Sequence, residues 1–479
     1  MGTPCPALRW WGGRISCNAT CAIRRPWRRS PWRKYWAARC MPNSMRTSCG
    51  AAGRGMAAVR NRCGVRSWIR SWNRAVRVRT PELFATPACS GAFPDRWERK
   101  APVVGYGRQC MDRLGIMIFL AADNDLNPYA RLNDLREIRR AQGAGNAVPL
   151  CVQFHSPQQE ADDTPVLSVA FRQGEEVACL RSEQALNTGN AAVLSDFMDW
   201  SMSVMPCERY SLIVWGHGSG AVDAESMAEL TAETVKSVAY DYTDGDALTT
   251  AELAQALGSV LGDRRLDVLG FDACHMGSAE VMAELARFCG VYVGSETVIP
   301  PVGWPYDLVL DDMAALVDSS AEEVGAAVCR RYGQRTSASK SVCLSAVDTD
   351  RMERVLEAVR AMVEGCVQHM HDPAAFCALY RAARQCLRFG DHFVDLGDFA
   401  RCLAGQQLPA GLSARADAVF RAVSDAVFHL TQHNLQQATG MAAVFPFNPL
   451  SETLARRYAG LRFARETGWN ELLDAFHRG

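Results

Sequence analysis

The chain of 479 residues lacks a net charge, with 52 Lys+Arg against 52 Asp+Glu, and it lacks any apolar run near the roughly 18 residues that a membrane helix needs. No membrane partner is therefore expected. A secretory leader is not legible either: the first 30 residues hold no sustained apolar core, and the apolar stretch 116–122 after Met111 is short and lacks a cleavage pattern. Residues 111–479 carry 11 Cys without CxxC pairs or metal-ligand spacing, which predicts reduced thiols in a cytoplasmic protein and no disulfide frame. With 48% hydrophobic residues the chain can bury a large core, and its composition excludes collagen, coiled coil and wholesale disorder.

The zero net charge hides two unlike polypeptides. Residues 1–110 hold 22 Lys+Arg against 3 acids, with 8 of the 12 Trp, and no periodicity of helix or strand is sustained there. This segment is expected to be unstructured, or to precede a true start at or near Met111. Interleaved Arg and Trp also fit an arm that binds nucleic acid, since guanidinium neutralises phosphate and indole stacks on bases.

From Met111 onward strands alternate with helices. Apolar runs at 115–121, 148–154, 210–215, 266–271, 291–295 and 342–347 read as buried strands, and 166–171 with 177–180 as a hairpin. Helices are expected at 190–205 and 250–261, the second opened by a Thr249/Glu252 capping box. The fold class is α/β, a mostly parallel sheet flanked by helices, with its site at the carboxyl ends of the strands. Residues 111–349 form the catalytic domain in this reading, and 350–479 a mainly helical region packed on it. Helices are expected there at 351–369, 374–387 and 414–437, before a short strand at 441–447 and a final helix.

Two strand ends carry chemistry. Ile213-Val-Trp-Gly-His217-Gly-Ser-Gly220 sets a His just after a buried strand, among glycines that permit a sharp turn and leave amides open. Leu269-Gly-Phe-Asp272-Ala-Cys274-His-Met-Gly277 sets a Cys in the same relation to the next strand, ahead of a helix near Ser278. A thiolate at Cys274, aided by an imidazole and a helix dipole, is a competent nucleophile. His217 is the candidate base, and the amides of Gly218 and Cys274 are candidate oxyanion donors. Asp272, two positions before Cys274 on the same strand, is placed to face the same rim, where its carboxylate can pair with a guanidinium or ammonium group or else cap the next helix.

These motifs resemble those of the clostripain family of cysteine peptidases, relatives of caspases, legumain and gingipains. Ala121-Ala-Asp-Asn-Asp125-Leu, Ser295-Glu296 through Trp304-Pro-Tyr-Asp307, Asp395-Leu-Gly-Asp398 and Gly440-Met-Ala-Ala-Val-Phe-Pro446 resemble further segments of that family, and the likeness covers about 111–479. His275 departs from it, since the family usually has an apolar residue there. The resemblance implies a caspase-like fold and hydrolysis after Arg or Lys of a peptide or protein substrate through a thioester. A second pocket acid is expected at Asp307 or at Glu296. Relatives are often cut between the catalytic His and Cys, and the basic candidate here is the Lys236–Ser237 bond. No cofactor is expected. Calcium stays open as an ion, although Asp241-Tyr-Thr-Asp244-Gly245-Asp246 puts its glycine one place too early for an EF-hand loop. The competing class is a non-catalytic interaction protein on the same scaffold.

Overall fold

The computed structural model describes residues 98–99, 111–143, 148–157, 165–182, 184–221, 237–336 and 339–478, all inside one compact unit, Ala92–Gly479. Ten strands form the main sheet: β1 Glu98–Arg99, β2 Asp112–Ala121, β3 Leu150–His155, β4 Val166–Arg172, β5 Glu175–Ser182, β6 Cys207–Trp215, β7 Leu266–Asp272, β8 Cys289–Gly294, β9 Val342–Asp348 and β10 Val427–His433. Their order is β1-β5-β4-β3-β2-β6-β7-β8-β9-β10. The central five, β3-β2-β6-β7-β8, run parallel, whereas the strands outside them pair antiparallel. Residues 114–121 of β2 are buried without a break, as a strand covered by helices on both faces must be.

The helices are α1 Leu135–Gly143, α2 Ala191–Val204, α3 Thr250–Leu261, α4 Ala279–Leu285, α5 Tyr306–Ala315, α6 Ala321–Arg335, α7 Met352–His369, α8 Pro373–Gln385, α9 Leu396–Ala404, α10 Leu412–Ala426, α11 Glu452–Gly460, α12 Arg462–Thr467 and α13 Trp469–Arg478. The Thr249/Glu252 box caps α3 as expected. A turn of π-helix, Ala130–Asp134, leads into α1.

Three expectations change. The helix expected over 414–437 stops at Ala426, and β10 takes over and pairs with β9. Residues 427–433, Val-Phe-His-Leu-Thr-Gln-His, are rich in β-branched and aromatic side chains, so pairing at a free sheet edge overrides helical periodicity. Residues 350–479 consequently do more than pack on the sheet, because they supply its last strand. Within the basic segment 1–110, Glu98–Arg99 adds a two-residue strand antiparallel to β5; the rest of that segment lies outside the described residues. Among the described residues no helix is long and apolar enough to cross a membrane.

Candidate active site

Sheet register explains why a His and a Cys 57 residues apart come to one rim. Trp215 on β6 pairs with Asp272 on β7. His217 and Cys274 each stand two residues beyond that pair, so the chain delivers them at neighbouring strand ends. Leu120 on β2 pairs with Trp215 from the other side, and the loop after β2 brings Asp125 to the same rim. A close backbone approach locks the arrangement. A Cβ on Gly218 would collide with the Cys274 carbonyl oxygen and lie 3.1 Å from its amide nitrogen, so only glycine fits there. The Gly218 amide donates no hydrogen bond among the described residues, and the Cys274 amide meets only its own thiol, which leaves both near the rim as candidate oxyanion donors.

The imidazole is oriented from outside the sequence motif. His217 Nε2–H donates to Asp125 Oδ1 at 2.6 Å, and the hydrogen bond holds the Asp125 carboxyl below its usual range. The Tyr242 ring lies parallel to the imidazole, with centroids 5.8 Å apart. Fixing the proton on Nε2 leaves Nδ1 as the basic nitrogen. Asp125 and Tyr242 had no role assigned from sequence. Asp125 sits in the turn-rich loop after the first strand, and the sheet order β2-β6-β7 is the signal that places it beside His217.

The thiol is quieter than expected. Cys274 Sγ accepts from the Ile299 amide at 3.2 Å, no hydrogen bond joins it to His217, and burial pushes it up to about 11. The helix after it, α4, starts only at Ala279, has Ser278 as its cap and is seven residues long, so its dipole gives the thiol little help. That cap also settles Asp272, which does not serve the helix.

Asp272 is buried, its Oδ2 accepting from the Trp304 amide at 2.8 Å and from the Tyr306 hydroxyl at 3.1 Å. Burial raises its carboxyl to about 7. The two proposed companions do not join it. Asp307 begins α5 and is paired with Arg140 at 2.6 Å, because the neighbouring helix α1 presents that guanidinium to it. Glu296 is fully buried against other partners: its Oε2 accepts from the Gly440 amide at 3.1 Å and the Cys343 thiol at 3.6 Å, and it is hydrogen-bonded to Asp395. Its neighbour in space is the backbone of the Cys274 turn, where His275 Nδ1–H donates to the Glu296 carbonyl at 2.9 Å.

Lys236 lies outside the described residues. Ser237 is buried, its amide donating to Leu248 at 2.8 Å and its carbonyl accepting from Ser219 at 2.9 Å. Asp241 turns its carboxylate to its own hairpin and to Thr188, and no group of three or more His, Cys, Asp or Glu among the described residues is placed to hold a metal ion.

A sheet parallel at its centre, with Cys and His on adjacent strand ends and helices on its faces, defines the caspase-like class of α/β proteins. A family model described as "Clostripain family" matches residues 118–407, more than half of the chain, so the chain belongs to the clostripain family. It is similar to clostripain of Hathewaya histolytica, 25% identical over an alignment 232 positions long that covers 42% of each chain; it thus spans less than half the length of that curated relative. Among solved structures, the inactive zymogen of a C11 protease from Parabacteroides distasonis matches with a TM-score of 0.55 at 18% identity, over 76% of this chain and 99% of that one. A secreted C11 cysteine protease from Bacteroides thetaiotaomicron, in complex with an irreversible peptide inhibitor, matches with a TM-score of 0.56 at 17% identity, over 75% and 99%. Both share the fold.

Proposed function

We propose that this chain is a cysteine endopeptidase that cleaves after Arg or Lys, with Cys274 as nucleophile and His217 as base. The observation that carries the reading is the shared rim: thiol, imidazole and a buried carboxylate two residues before the thiol, all fixed by one sheet register. In the reaction, the substrate displaces the Ile299 amide from Sγ, and His217 Nδ1 takes the thiol proton as sulfur attacks the carbonyl carbon. The Gly218 and Cys274 amides hold the oxyanion. Collapse of the adduct passes the proton from Nδ1 to the leaving amine and leaves a thioester, which water hydrolyses with His217 as base. Asp125 keeps its place on Nε2 and stabilises the imidazolium. A substrate cation beside Asp272 replaces the carboxyl proton with a charge-assisted pair.

A peptide carrying Arg next to a thiol-reactive group tests this reading. It should modify Cys274 in the wild type and not label Cys274→Ala, while His217→Ala should react far more slowly. Labelling at another residue, or equal labelling by a peptide with Leu in place of Arg, contradicts it. Processing at Lys236–Ser237 belongs to the same proposal. Intact mass should show two chains meeting at 236/237 in the wild type and one in Cys274→Ala; a single, fully active wild-type chain removes it.

A further inference from the structure

Behind the nucleophile lies a group of buried acceptors with nothing to accept. Both carboxyl oxygens of Asp134, Oδ1 of Asp272 and the Tyr332 hydroxyl make no hydrogen bond, and these three residues are at most 3% exposed. They belong to one neighbourhood. The charge of Asp272 acts on Asp134, Tyr306 feels both, and Tyr332 feels Asp272 and Cys274. Cys274 in turn feels Asp272, and hydrogen bonds tie the elements together: Tyr306 gives its hydroxyl to Asp272 at 3.1 Å and its amide to Glu137, three residues beyond Asp134, at 3.0 Å.

The charges there do not balance. Glu137 also reaches this region, but Arg335 Nη1 holds both of its oxygens, at 2.7 and 2.8 Å. Asp272 and Asp134 remain, one half-held and one unheld, and the Arg335 charge that both feel is already paired with Glu137. Burial and the charge of Asp272 raise the Asp134 carboxyl to about 9, the response of an acid that stays neutral until a cation arrives. Asp134 also ends the π-helical turn Ala130–Asp134, an irregularity that regular helix packing does not call for and that often marks functional sites.

We propose that Asp134 is the second acid of the slot that receives the substrate's basic side chain, and that it favours arginine over lysine. This rests on the peptidase reading above. Asp272, two positions before Cys274, meets the cation of either residue. A guanidinium has five N–H donors in a plane and bridges two carboxylates, whereas an ammonium is a compact charge on a shorter reach. Arginine therefore bonds Asp272 and Asp134 together, and lysine is satisfied at Asp272. The segment 299–304 lies against both groups: Ile299 holds Sγ, and Gly303, at φ +56°, lies so near Asp272 that a Cβ would stand 2.5 Å from Oδ2.

The test compares two peptide substrates that differ only in Arg or Lys at the cleaved position, in wild type, Asp134→Asn and Asp272→Asn. Asp134→Asn should lose about tenfold to a hundredfold in kcat/KM on the Arg peptide, mostly through KM, and less than about threefold on the Lys peptide. Asp272→Asn should lose on both. Equal losses on both peptides in Asp134→Asn, or none on either, overturn the assignment while leaving the peptidase reading intact. A wild type that cleaves neither peptide, and is not labelled by the Arg probe, removes that reading and this one with it. Ligand binding gives a readout without turnover: in the Cys274→Ala background agmatine should raise Tm, and it should fail to do so once Asp134→Asn is added. A rise of the same size in both backgrounds also overturns it. If the asparagine variant does not accumulate, Asp134→Ser is read in the same way.

Discussion

Two pairs of buried carboxyl groups lie near the Cys274 turn, and they are built on opposite terms. Glu296 and Asp395 face each other within hydrogen-bond reach, burial raises both carboxyls, and apart from that contact Glu296 Oε1 has no partner. Every other acceptor of Asp395 is used, by the Asp398 amide at 2.7 Å and by the Thr439 amide and hydroxyl at 2.5 and 2.6 Å. Asp134 and Asp272 only repel each other, and three of their four oxygens accept nothing. A satisfied pair of buried acids joins parts of a fold, here the Cys274 loop and the segment 395–440. An unsatisfied pair costs stability, and a protein keeps it for a ligand that restores the balance. Mutations should therefore separate the two: the first pair governs folding, the second governs selectivity.

The largest effect is expected from Glu296→Ala, which removes the facing carboxyl and strands Asp395 and the Gly440 amide in the interior. Chemical denaturation should show a loss of about 3–5 kcal/mol, with the Arg-to-Lys preference of the remaining folded protein unchanged. Unchanged stability with lost preference would exchange the roles of the two pairs. Asp272→Asn comes next, losing about 1.5–3 kcal/mol of transition-state binding for basic substrates, read as kcat/KM. Its Tm should not fall, because asparagine resembles the protonated acid that burial already favours.

Asp125→Asn, on the exposed rim and in neither pair, should cost about tenfold in kcat with KM little changed, since an amide orients His217 without stabilising its charge. A change in KM alone would place Asp125 in substrate binding. The smallest effect is expected from Glu296→Gln, and it appears only in the pH dependence. Burial raises the Glu296 carboxyl well above the ordinary range of a glutamate, so the folded state holds a proton that the unfolded chain releases. The stability from that proton is fully present below about 4.5 and is lost as pH rises through the elevated native value. Glutamine keeps a donor toward Asp395 and cannot titrate, so its stability curve should be flatter on the alkaline side; curves that run parallel to the wild type would show that Glu296 does not hold that proton.

The comparison also marks where sequence stops being informative. The placement of His217, Gly218, Cys274 and Asp272 at one rim was legible because buried parallel strands read as apolar runs, and strand ends fix which residues meet. The second acid was not. Glu296, Asp307 and Asp134 are all acids close to strand ends, and choosing among them depends on which way each side chain turns and what meets it there. Asp307 is answered by Arg140 and Glu296 by Asp395, pairings that cross 167 and about 100 residues of chain. Asp134 stands in an amphipathic stretch running to Arg140, where Leu132, Leu135 and Ile138 mark an apolar side and nothing in the sequence singles out one acid. The strand β10 was missed because its partner β9, rather than its own periodicity, decides its conformation.

The burial of the Cys274 thiol, which the Ile299 amide on Sγ opposes only in part, has a consequence for the life of the protein between encounters. A thiol at about 11 is thiolate in only about one molecule in ten thousand at neutral pH, and the thiolate is the form that peroxide and alkylating agents attack. The resting protein should therefore be chemically quiet: it should survive mild oxidant and react slowly with iodoacetamide, with rates that rise about tenfold per pH unit through neutrality. In the reading proposed above the thiol gives up its proton to His217 only as a substrate is attacked, so the sulfur is spared damage while it waits.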